Sequence, residues 1–298
     1  MSLNILKNVK LADYTSWLIG GPAENFCAPS TIDELKQALL FARNQNLAIT
    51  IIGGGSNILV ADTGICGLVI SLRKFTETKS EIKNGRIYIQ SLAGSSKSEL
   101  LKIFLKNQLE PALFLAGLPG DVGGGVVMNA GVAEAFIPCE FMELVDEIDV
   151  MSSGGEIINL KKSQLSVRYR HTDGWQPHIV MRAHISWPYD QNPNILNQVR
   201  EANKIRLTKQ PLDMPSCGSV FKNPEGFKAA QLIDQCGLKG FRIGDAQVSM
   251  KHANFIVNLG SATAADTWNV ILHVKKTVKE KKIVELKTEV IRLGIWVD

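Results

Sequence analysis

The sequence contains few cysteines, little net charge and no long apolar run, and each of these absences argues against a class of protein. Its five cysteines are scattered without a C-x-x-C pair, which argues against a disulfide framework or a zinc site and favours a reducing compartment. A net charge of +4 is far below the basic patches of dedicated nucleic-acid binders. No window approaches the ~18 uninterrupted apolar residues of a membrane span, and the N-terminus lacks a signal-peptide pattern. We therefore expect a cytoplasmic protein that binds neither nucleic acid nor a membrane.

Both helical and strand patterns occur along the chain, which predicts an α+β fold. Residues 31–46 carry apolar side chains at helical spacing, and Thr31 followed by Glu34 predicts a capping box at the start of that helix. Ser96 followed by Glu99 predicts the same cap for a second helix. The other elements expected with clear patterns are a hairpin turning at 152–155, a long helix over 263–280 and a final strand over 283–293.

A first glycine-rich segment, "GGGSN" at 53–57, lies between two short apolar runs that are expected to be strands. It lacks the third glycine of a G-x-G-x-x-G fingerprint, it has no phosphate-loop lysine, and no helix is expected to follow it. Consecutive glycines nevertheless expose backbone N–H groups in a concave arrangement that suits a pyrophosphate. A tight hairpin without a ligand is the alternative.

A second glycine-rich segment, 114–131, contains six glycines and almost no charge. Its composition predicts compact loops in place of a regular helix. Two such segments in a strand-rich region indicate one extended ligand with a diphosphate and at least one ring, as in a flavin–adenine dinucleotide. The alternative is a packed loop that binds nothing.

Several motifs in fixed order carry a family resemblance. They are "TSWLIGGPA", "IIGGGSNILVAD", "AGLPGDVGGGVVMNAG", "VRYRHT", "QPLDMPSCGSVFKNP" and "LKTEVIRLG". Together they resemble the UDP-N-acetylenolpyruvoylglucosamine reductase family, in its shorter form, from about residue 10 to residue 294. The G-S-x-F-K-N-P block is specific to that family.

The resemblance implies a flavin-binding unit of the vanillyl-alcohol-oxidase type, built from two α+β subdomains and followed by a substrate-binding domain. The expected bounds are 1–74 and 75–190 for the subdomains and 191–298 for the substrate-binding domain. The implied enzyme is an oxidoreductase of peptidoglycan precursor synthesis that contains FAD, uses NADPH and reduces the enolpyruvyl group of UDP-N-acetylglucosamine enolpyruvate. All five histidines lie at 171 or later, so no imidazole is available in the glycine segments for a covalent flavin link.

The same resemblance implies roles for individual residues. Arg170 and Glu289 would stabilise the enolate that forms on the substrate, and Ser219 would donate the proton to its α-carbon. Without the resemblance, Arg170, Glu289 and Lys222 would be interpreted as ordinary surface charges. The residues expected to bind the flavin are Gly53, Gly54, Gly55, Ser56, Asn57, Ile58, Gly117, Pro119, Gly120, Gly123, Gly124 and Asn129. Those expected to bind the substrate are Arg206, Lys209, Lys222 and Asn223.

Other features of the sequence limit this interpretation. The family usually has a basic residue two positions after the glutamate, whereas this chain has Ile291 there. Cys217 has no histidine partner in the sequence pattern, so a cysteine hydrolase is not expected. The histidine spacing does not predict a metal site. We expect a monomer acting on a small molecule, and the alternative function is that of another FAD-dependent oxidoreductase of the same superfamily acting on a sugar or hydroxy acid.

Overall fold

A computed structural model describes residues 3–132 and 136–296. The chain divides into two compact units that each combine several segments. Unit 1 comprises Met1–Ile5, Phe26–Gly54 and Leu68–Ile205, and unit 2 comprises Leu6–Asn25, Gly55–Gly67 and Arg206–Asp298. The division into three domains stays a prediction.

The described residues contain helices and strands throughout, which confirms the expected α+β class. In chain order the strands are β1 (Leu6–Lys10), β2 (Pro22–Cys27), β3 (Ile49–Ile52), β4 (Ile58–Val60), β5 (Ile65–Ser71), β6 (Thr78–Lys83), β7 (Arg86–Leu92), β8 (Val145–Met151), β9 (Ile157–Lys161), β10 (Ser166–Arg168), β11 (His171–Asp173), β12 (Ile179–Pro188), β13 (Arg242–Ile243), β14 (Ala246–Val248), β15 (Ile256–Asn258) and β16 (Ile291–Leu293). The α-helices are α1 (Ile32–Asn44), α2 (Lys97–Lys106), α3 (Pro111–Leu115), α4 (Val122–Met128), α5 (Ile195–Lys209), α6 (Ala229–Gln235) and α7 (Ala264–Lys282). None of the helices in the described part of the chain is both long and apolar enough to cross a membrane.

Unit 1 is built around an antiparallel sheet of five strands in the order β6-β7-β12-β8-β9. The turn between β8 and β9 lies where the sequence predicts it, because the N–H of Gly155 donates to the carbonyl of Ser152 at 2.9 Å. Helices α2, α3 and α4 supply apolar residues to a core that includes Phe104, Phe114 and Val126, all fully buried. The sheet and these helices together position the second glycine segment.

The predicted helix caps in unit 1 are confirmed only in part. The Thr31 hydroxyl accepts from the N–H of Glu34 at 3.1 Å and caps α1, but the Glu34 carboxylate accepts from Ser30 and does not complete the box. The box predicted for α2 is wrong: the Ser96 side chain caps nothing, and the Glu99 carboxylate accepts from the Thr78 hydroxyl at 3.0 Å.

The expectation of loops throughout 114–131 is also wrong, because α4 lies inside this segment. The Asp121 carboxylate caps α4 by accepting from the N–H of Gly124 at 2.6 Å. A Cβ atom on Gly123 would lie 2.9 Å from that of Ala93, so glycine allows the helix to pack directly against its neighbour. Tertiary packing thus offsets the entropic cost of glycine within a helix.

Unit 2 combines the sheet β13-β14-β15 with α6 and α7 around a second core. The long helix begins as predicted, with Thr263 and Asp266 forming a capping box. The Leu6–Asn25 segment of unit 2 contacts this core through Trp17, whose indole N–H donates to the Ile256 carbonyl at 2.7 Å. Only β16 remains of the final strand predicted over 283–293, and it pairs in parallel with β4, Ile291 opposite Ile58.

Candidate active site

The first glycine segment leaves β3 and turns at Gly53 and Gly54, both in unit 1. The guanidinium of Arg73 donates to the carbonyls of Gly53 and Gly54, at 3.3 and 2.9 Å. In a trans peptide the N–H points in the direction opposite to the carbonyl. Because Arg73 binds the carbonyls on one side of the segment, the N–H groups of the same peptides point to the other side. The N–H of Gly54 there donates to the carboxylate of Asp121.

Lys97, at the start of α2, binds the backbone of the second glycine segment of unit 1. Its ammonium group donates to the Pro119 carbonyl at 2.8 Å, and its backbone N–H donates to the Gly120 carbonyl at 3.1 Å. Lys97 is only 3% exposed, and this burial lowers the pKa of its ammonium group to about 8, against the opposing effect of the Asp121 carboxylate. Gly120 has a left-handed φ of +86°, which glycine adopts without steric cost.

The two glycine segments lie against each other within unit 1. A Cβ atom on Gly54 would come within 3.1 Å of the Gly120 Cα atom. One Asp121 carboxylate joins them, because it accepts from the N–H groups of Gly54 and Gly124. These N–H groups therefore converge on one anionic group, and a flavin diphosphate would have to take the place of the Asp121 carboxylate to accept from them. The residues present fit FAD in that backbone N–H groups of both segments converge on one anion.

Asp121 and Lys97 were not identified from the sequence. Asp121 directly precedes α4 and is a good N-cap residue, but that signal was lost because no helix was expected there. Lys97 gave no signal, since a lysine near the start of an amphipathic helix is normally on the solvated face.

Asn129, also expected to bind the flavin, ends α4 with a left-handed φ of +40° and is fully buried. Its side-chain carbonyl accepts from the N–H of Met142 at 3.1 Å. Its amide NH2 group donates to the Glu140 carboxylate at 2.6 Å and to the Arg168 carbonyl at 3.0 Å. The side chain is therefore fixed on both sides by unit 1 itself.

Arg170 is buried, with 6% of its surface exposed, so the structure does not place it in a surface ion pair. One guanidinium nitrogen, Nη2, donates to the Gly131 carbonyl at 2.9 Å, and the other, Nη1, lies 3.5 Å from the Glu140 carboxylate. The guanidinium carbon lies 4.7 Å from the centre of the Tyr169 ring. A left-handed φ of +55° at Arg170 directs the side chain into this position.

Asn57, Ile58 and Glu289 lie on neighbouring segments of unit 2, where Gly55 also turns with φ +71°. The Asn57 side chain donates to the Glu289 carbonyl at 3.0 Å, and the Asn57 carbonyl accepts from the N–H of Ile291 at 3.0 Å. This pairing continues into β4 and β16. A predicted flavin-binding segment and the predicted catalytic glutamate are thus brought together in one unit.

The loop that contains Ser219 pairs with the Glu289 segment through the residue after the serine, because the N–H of Glu289 donates to the Val220 carbonyl at 2.8 Å. Asn254, which the sequence did not reveal, fixes the same loop with a buried side chain. Its carbonyl oxygen accepts from the Phe221 N–H at 3.0 Å and its NH2 group donates to the Phe221 carbonyl at 2.8 Å. Ser219 is half-buried.

Cys217 is 5% exposed and packs in the core of unit 2. Burial raises the pKa of its thiol well above the ordinary value, and the nearby Glu289 carboxylate acts in the same direction. The thiol is therefore neutral at physiological pH, as expected for a small packing residue and not for a nucleophile.

The four residues expected to bind the substrate lie in unit 2, two near the end of α5 and two in the loop that precedes α6. Arg206 donates to the Gln210 side chain at 3.2 Å, and Lys209 is exposed at the end of α5. Lys222 is half-buried, and its N–H donates to the Lys287 carbonyl at 2.9 Å. The side-chain oxygen of Asn223 accepts from the N–H of Ala229 at 3.0 Å, at the start of α6.

Arg292, which follows Ile291, is placed for packing. Its guanidinium carbon lies 4.1 Å from the Trp268 ring centre and 5.1 Å from that of Trp296. Across residues 3–132 and 136–296, no group of three or more His, Cys, Asp or Glu side chains has an arrangement that could hold a metal ion.

Two family models match the chain. Residues 210–293 match the model described as the C-terminal domain of UDP-N-acetylenolpyruvoylglucosamine reductase, and residues 23–161 match an FAD binding domain. The chain is 39% identical to the UDP-N-acetylenolpyruvoylglucosamine reductase of Clostridium tetani over 98% of this chain and 93% of that protein. The chain belongs to the UDP-N-acetylenolpyruvoylglucosamine reductase family.

Further members of the reductase family agree with this assignment. The enzyme of Listeria innocua is 39% identical over 96% of this chain and 94% of its own length. A crystal structure of the reductase from Thermus caldophilus superimposes with a TM-score of 0.77 at 31% identity, covering 99% of this chain and 100% of that one. Family membership confirms the resemblance, the α+β flavoenzyme fold with a C-terminal reductase domain, and an FAD-containing oxidoreductase class.

Proposed function

We propose that this reductase-family member converts UDP-N-acetylglucosamine enolpyruvate into UDP-N-acetylmuramate, with NADPH as reductant, as a step of peptidoglycan precursor synthesis. We further propose that it works in the cytoplasm as a monomer. The observation that supports the proposal is the hydrogen bond between Val220 and Glu289, which pairs the loop that contains Ser219 with the segment that contains the predicted catalytic glutamate. The proposed reaction needs both groups, since Ser219 would donate the proton and Glu289 would stabilise the enolate.

The reaction adds a hydride and a proton across the enolpyruvyl double bond. When bound, FAD reduced by NADPH would supply the hydride to the β-carbon. Negative charge would then develop on the substrate carboxylate, where the guanidinium of Arg170, and Glu289 as a protonated acid that donates a hydrogen bond, would stabilise the enolate. The Ser219 hydroxyl would give its proton to the α-carbon and regain one from solvent. A hydroxyl is a sufficient acid here because the carbanion is strongly basic.

The protein residues also hold the cofactor and the substrate. Gly54, Gly120 and Gly124 contribute backbone groups to the region that fits the flavin diphosphate. Arg206, Lys209 and Lys222 would provide positive charge for the diphosphate and carboxylate of the substrate, and the Asn223 amide would provide a hydrogen bond.

Stopped-flow measurement of the two half-reactions tests the proposal. We expect Ser219→Ala to accept electrons from NADPH at the wild-type rate, but to return them to the enolpyruvyl substrate about 10²–10⁴-fold more slowly, because the proton donor is lost. Ser216→Ala, a neighbouring hydroxyl deletion, is the control and should leave both rates unchanged. Normal turnover by Ser219→Ala, or purified protein that takes up no FAD, would contradict the proposal.

A further inference from the structure

Glu140 contacts two residues, Asn129 and Arg170, to which the proposed function assigns different ligands. One carboxylate oxygen accepts from the Asn129 amide at 2.6 Å, and the other lies 3.5 Å from the Arg170 guanidinium. Asn129 belongs to the proposed flavin site, and Arg170 to the substrate carboxylate. One acidic side chain of unit 1 therefore contacts a group from each.

Both contacted residues depend on such partners. Asn129 and Arg170 are almost fully buried, and Arg170 has a left-handed backbone conformation that is unfavourable for a residue of its type. A buried guanidinium needs a counter-charge, and a buried amide needs an acceptor for its N–H groups. The carboxylate of Glu140 meets part of each requirement.

The backbone of Glu140 is itself well fixed. Its N–H donates to the Glu143 side chain at 3.0 Å, and it pairs with Gly131 in an isolated bridge. The next N–H, that of Phe141, donates to the Ala130 carbonyl at 2.7 Å. The carboxylate thus extends from a short stretch of backbone that is bonded to the end of the second glycine segment. This backbone bonding limits how far the carboxylate can move away from Asn129 or Arg170.

We infer that Glu140 is a positioning residue that fixes Arg170 and Asn129 relative to each other, and so aligns the substrate carboxylate with the flavin. The inference rests on the proposed function, since it gives Arg170 and Asn129 the roles stated there. Glu140 acts through these two residues and takes no chemical step. The family motifs did not indicate this positioning residue.

Charge and hydrogen bonding can be separated with two variants. Glu140→Gln removes the charge beside Arg170 but keeps a carbonyl acceptor for Asn129. We therefore expect slower reoxidation of reduced flavin by the substrate, by about 10²-fold, because a small misplacement of a catalytic group has an effect of that size. Flavin reduction by NADPH should be unchanged. Glu140→Ala removes both contacts and should additionally raise the FAD dissociation constant about tenfold, measured by flavin fluorescence.

Matched variants make this test specific. Glu156→Gln makes the same charge change at an exposed position of the β8–β9 hairpin in unit 1 and should leave all three quantities unchanged. In Arg170→Met, adding Glu140→Gln should cause no further slowing, since Glu140 acts through Arg170. Glu140→Asp, which keeps the charge on a shorter arm, should recover part of the lost rate.

The outcomes separate this inference from the proposed function. If Arg170→Met reoxidised at the wild-type rate, the role of Arg170 in the proposed function would fail and the inference with it. If Arg170→Met is slow while Glu140→Gln reoxidises normally, only the inference is overturned. Equal slowing of both half-reactions by Glu140→Gln, or an additive effect in the double variant, would also overturn it, because either result indicates general disruption.

Discussion

A side chain added to Gly54, in unit 1, would come within 3.1 Å of the backbone of the other glycine segment, whereas one added to Gly218, in unit 2, would meet nothing within 4 Å among the described residues. Gly54 is therefore limited by space. Gly218 is limited by its own backbone, which has φ +81°. Beside Gly218, two hydrogen bonds between the Asn254 side chain and the Phe221 backbone hold the loop in shape.

This difference indicates that glycine has separate purposes in the two parts of the candidate site. In the two glycine segments it allows two stretches of backbone to approach each other, with one carboxylate between them. In the 215–224 loop it allows the chain to turn immediately before Ser219. Substitutions should therefore affect flavin affinity in the first case and loop stability in the second.

The largest effect is expected at Asn254, because its removal breaks the hydrogen bonds that define the loop. Asn254→Ala leaves the buried N–H and carbonyl of Phe221 without these partners, and should lower the free energy of unfolding by about 4 kcal/mol. Urea unfolding followed by circular dichroism measures this. Asn269→Ala, at an exposed position of α7, is the control and should change stability little. A small effect at Asn254 would show that hydrogen bonds do not determine the shape of this loop.

Lys97 tests the glycine segments through pH. Its folded pKa of about 8 lies below the ordinary value of 10.5, so burial of the charged form destabilises the fold below pH 8 and this cost disappears as pH rises toward 10.5. Stability of the wild type relative to Lys97→Met should therefore increase between pH 7.5 and 10.5, by about 3 kcal/mol.

The control for this pH experiment is Lys102→Met, an exposed lysine on the same helix. Because solvent surrounds that side chain, its removal should not alter the pH dependence of unfolding in this range. A stability difference between the wild type and Lys97→Met that is independent of pH would contradict the assignment of a buried charge beneath the second glycine segment.

Gly54→Ala tests the space limit directly. The added methyl group would separate the two glycine segments, so we expect the FAD dissociation constant to rise about tenfold, in line with the cost of overpacking. Gly154→Ala is the matched control, because its methyl group would lie 3.6 Å from the Ser152 hydroxyl, an ordinary contact distance. Unchanged FAD affinity in Gly54→Ala would contradict the conclusion that Gly54 is limited by space.

The smallest effect is expected at Gly218. Alanine there has room but disfavours a left-handed backbone, so Gly218→Ala should lower the free energy of unfolding by about 1 kcal/mol. Asparagine tolerates this conformation better than alanine, and Gly218→Asn should recover part of the loss. If both variants were as stable as the wild type, the backbone of this turn would not be limiting.

Local signals predicted the parts of the fold that depend on nearby residues. The cap of α1, the turn at 152–155 and the start of α7 all involve residues within four positions of each other. The expectation that both glycine segments bind one extended ligand stays a prediction, and α4 within the second segment was missed because composition outweighed its cap. Propensity cannot show that a glycine helix is stabilised by packing against a distant residue such as Ala93.

The candidate site was predictable only where a family motif carried it. Ser219 and Glu289 were named from such motifs, and the pairing of their two segments depends on a contact between Val220 and Glu289, about 70 positions apart. Asn254 and Glu140 fall outside the motifs and act through contacts 33 and 11 positions away. No local pattern distinguishes such residues from ordinary polar side chains, because their importance arises only from tertiary structure.

The pairing of β4 with β16 has a consequence for biosynthesis. Unit 2 needs residues from the first quarter of the chain and from its last strand, whereas Leu68–Ile205 of unit 1 is one continuous stretch. During translation, that stretch can begin to fold while the partners of Trp17 and β4 are still being made. Unit 2 can be completed only after β16 has left the ribosome, so the proposed proton donor is among the last parts of the enzyme to reach its working environment.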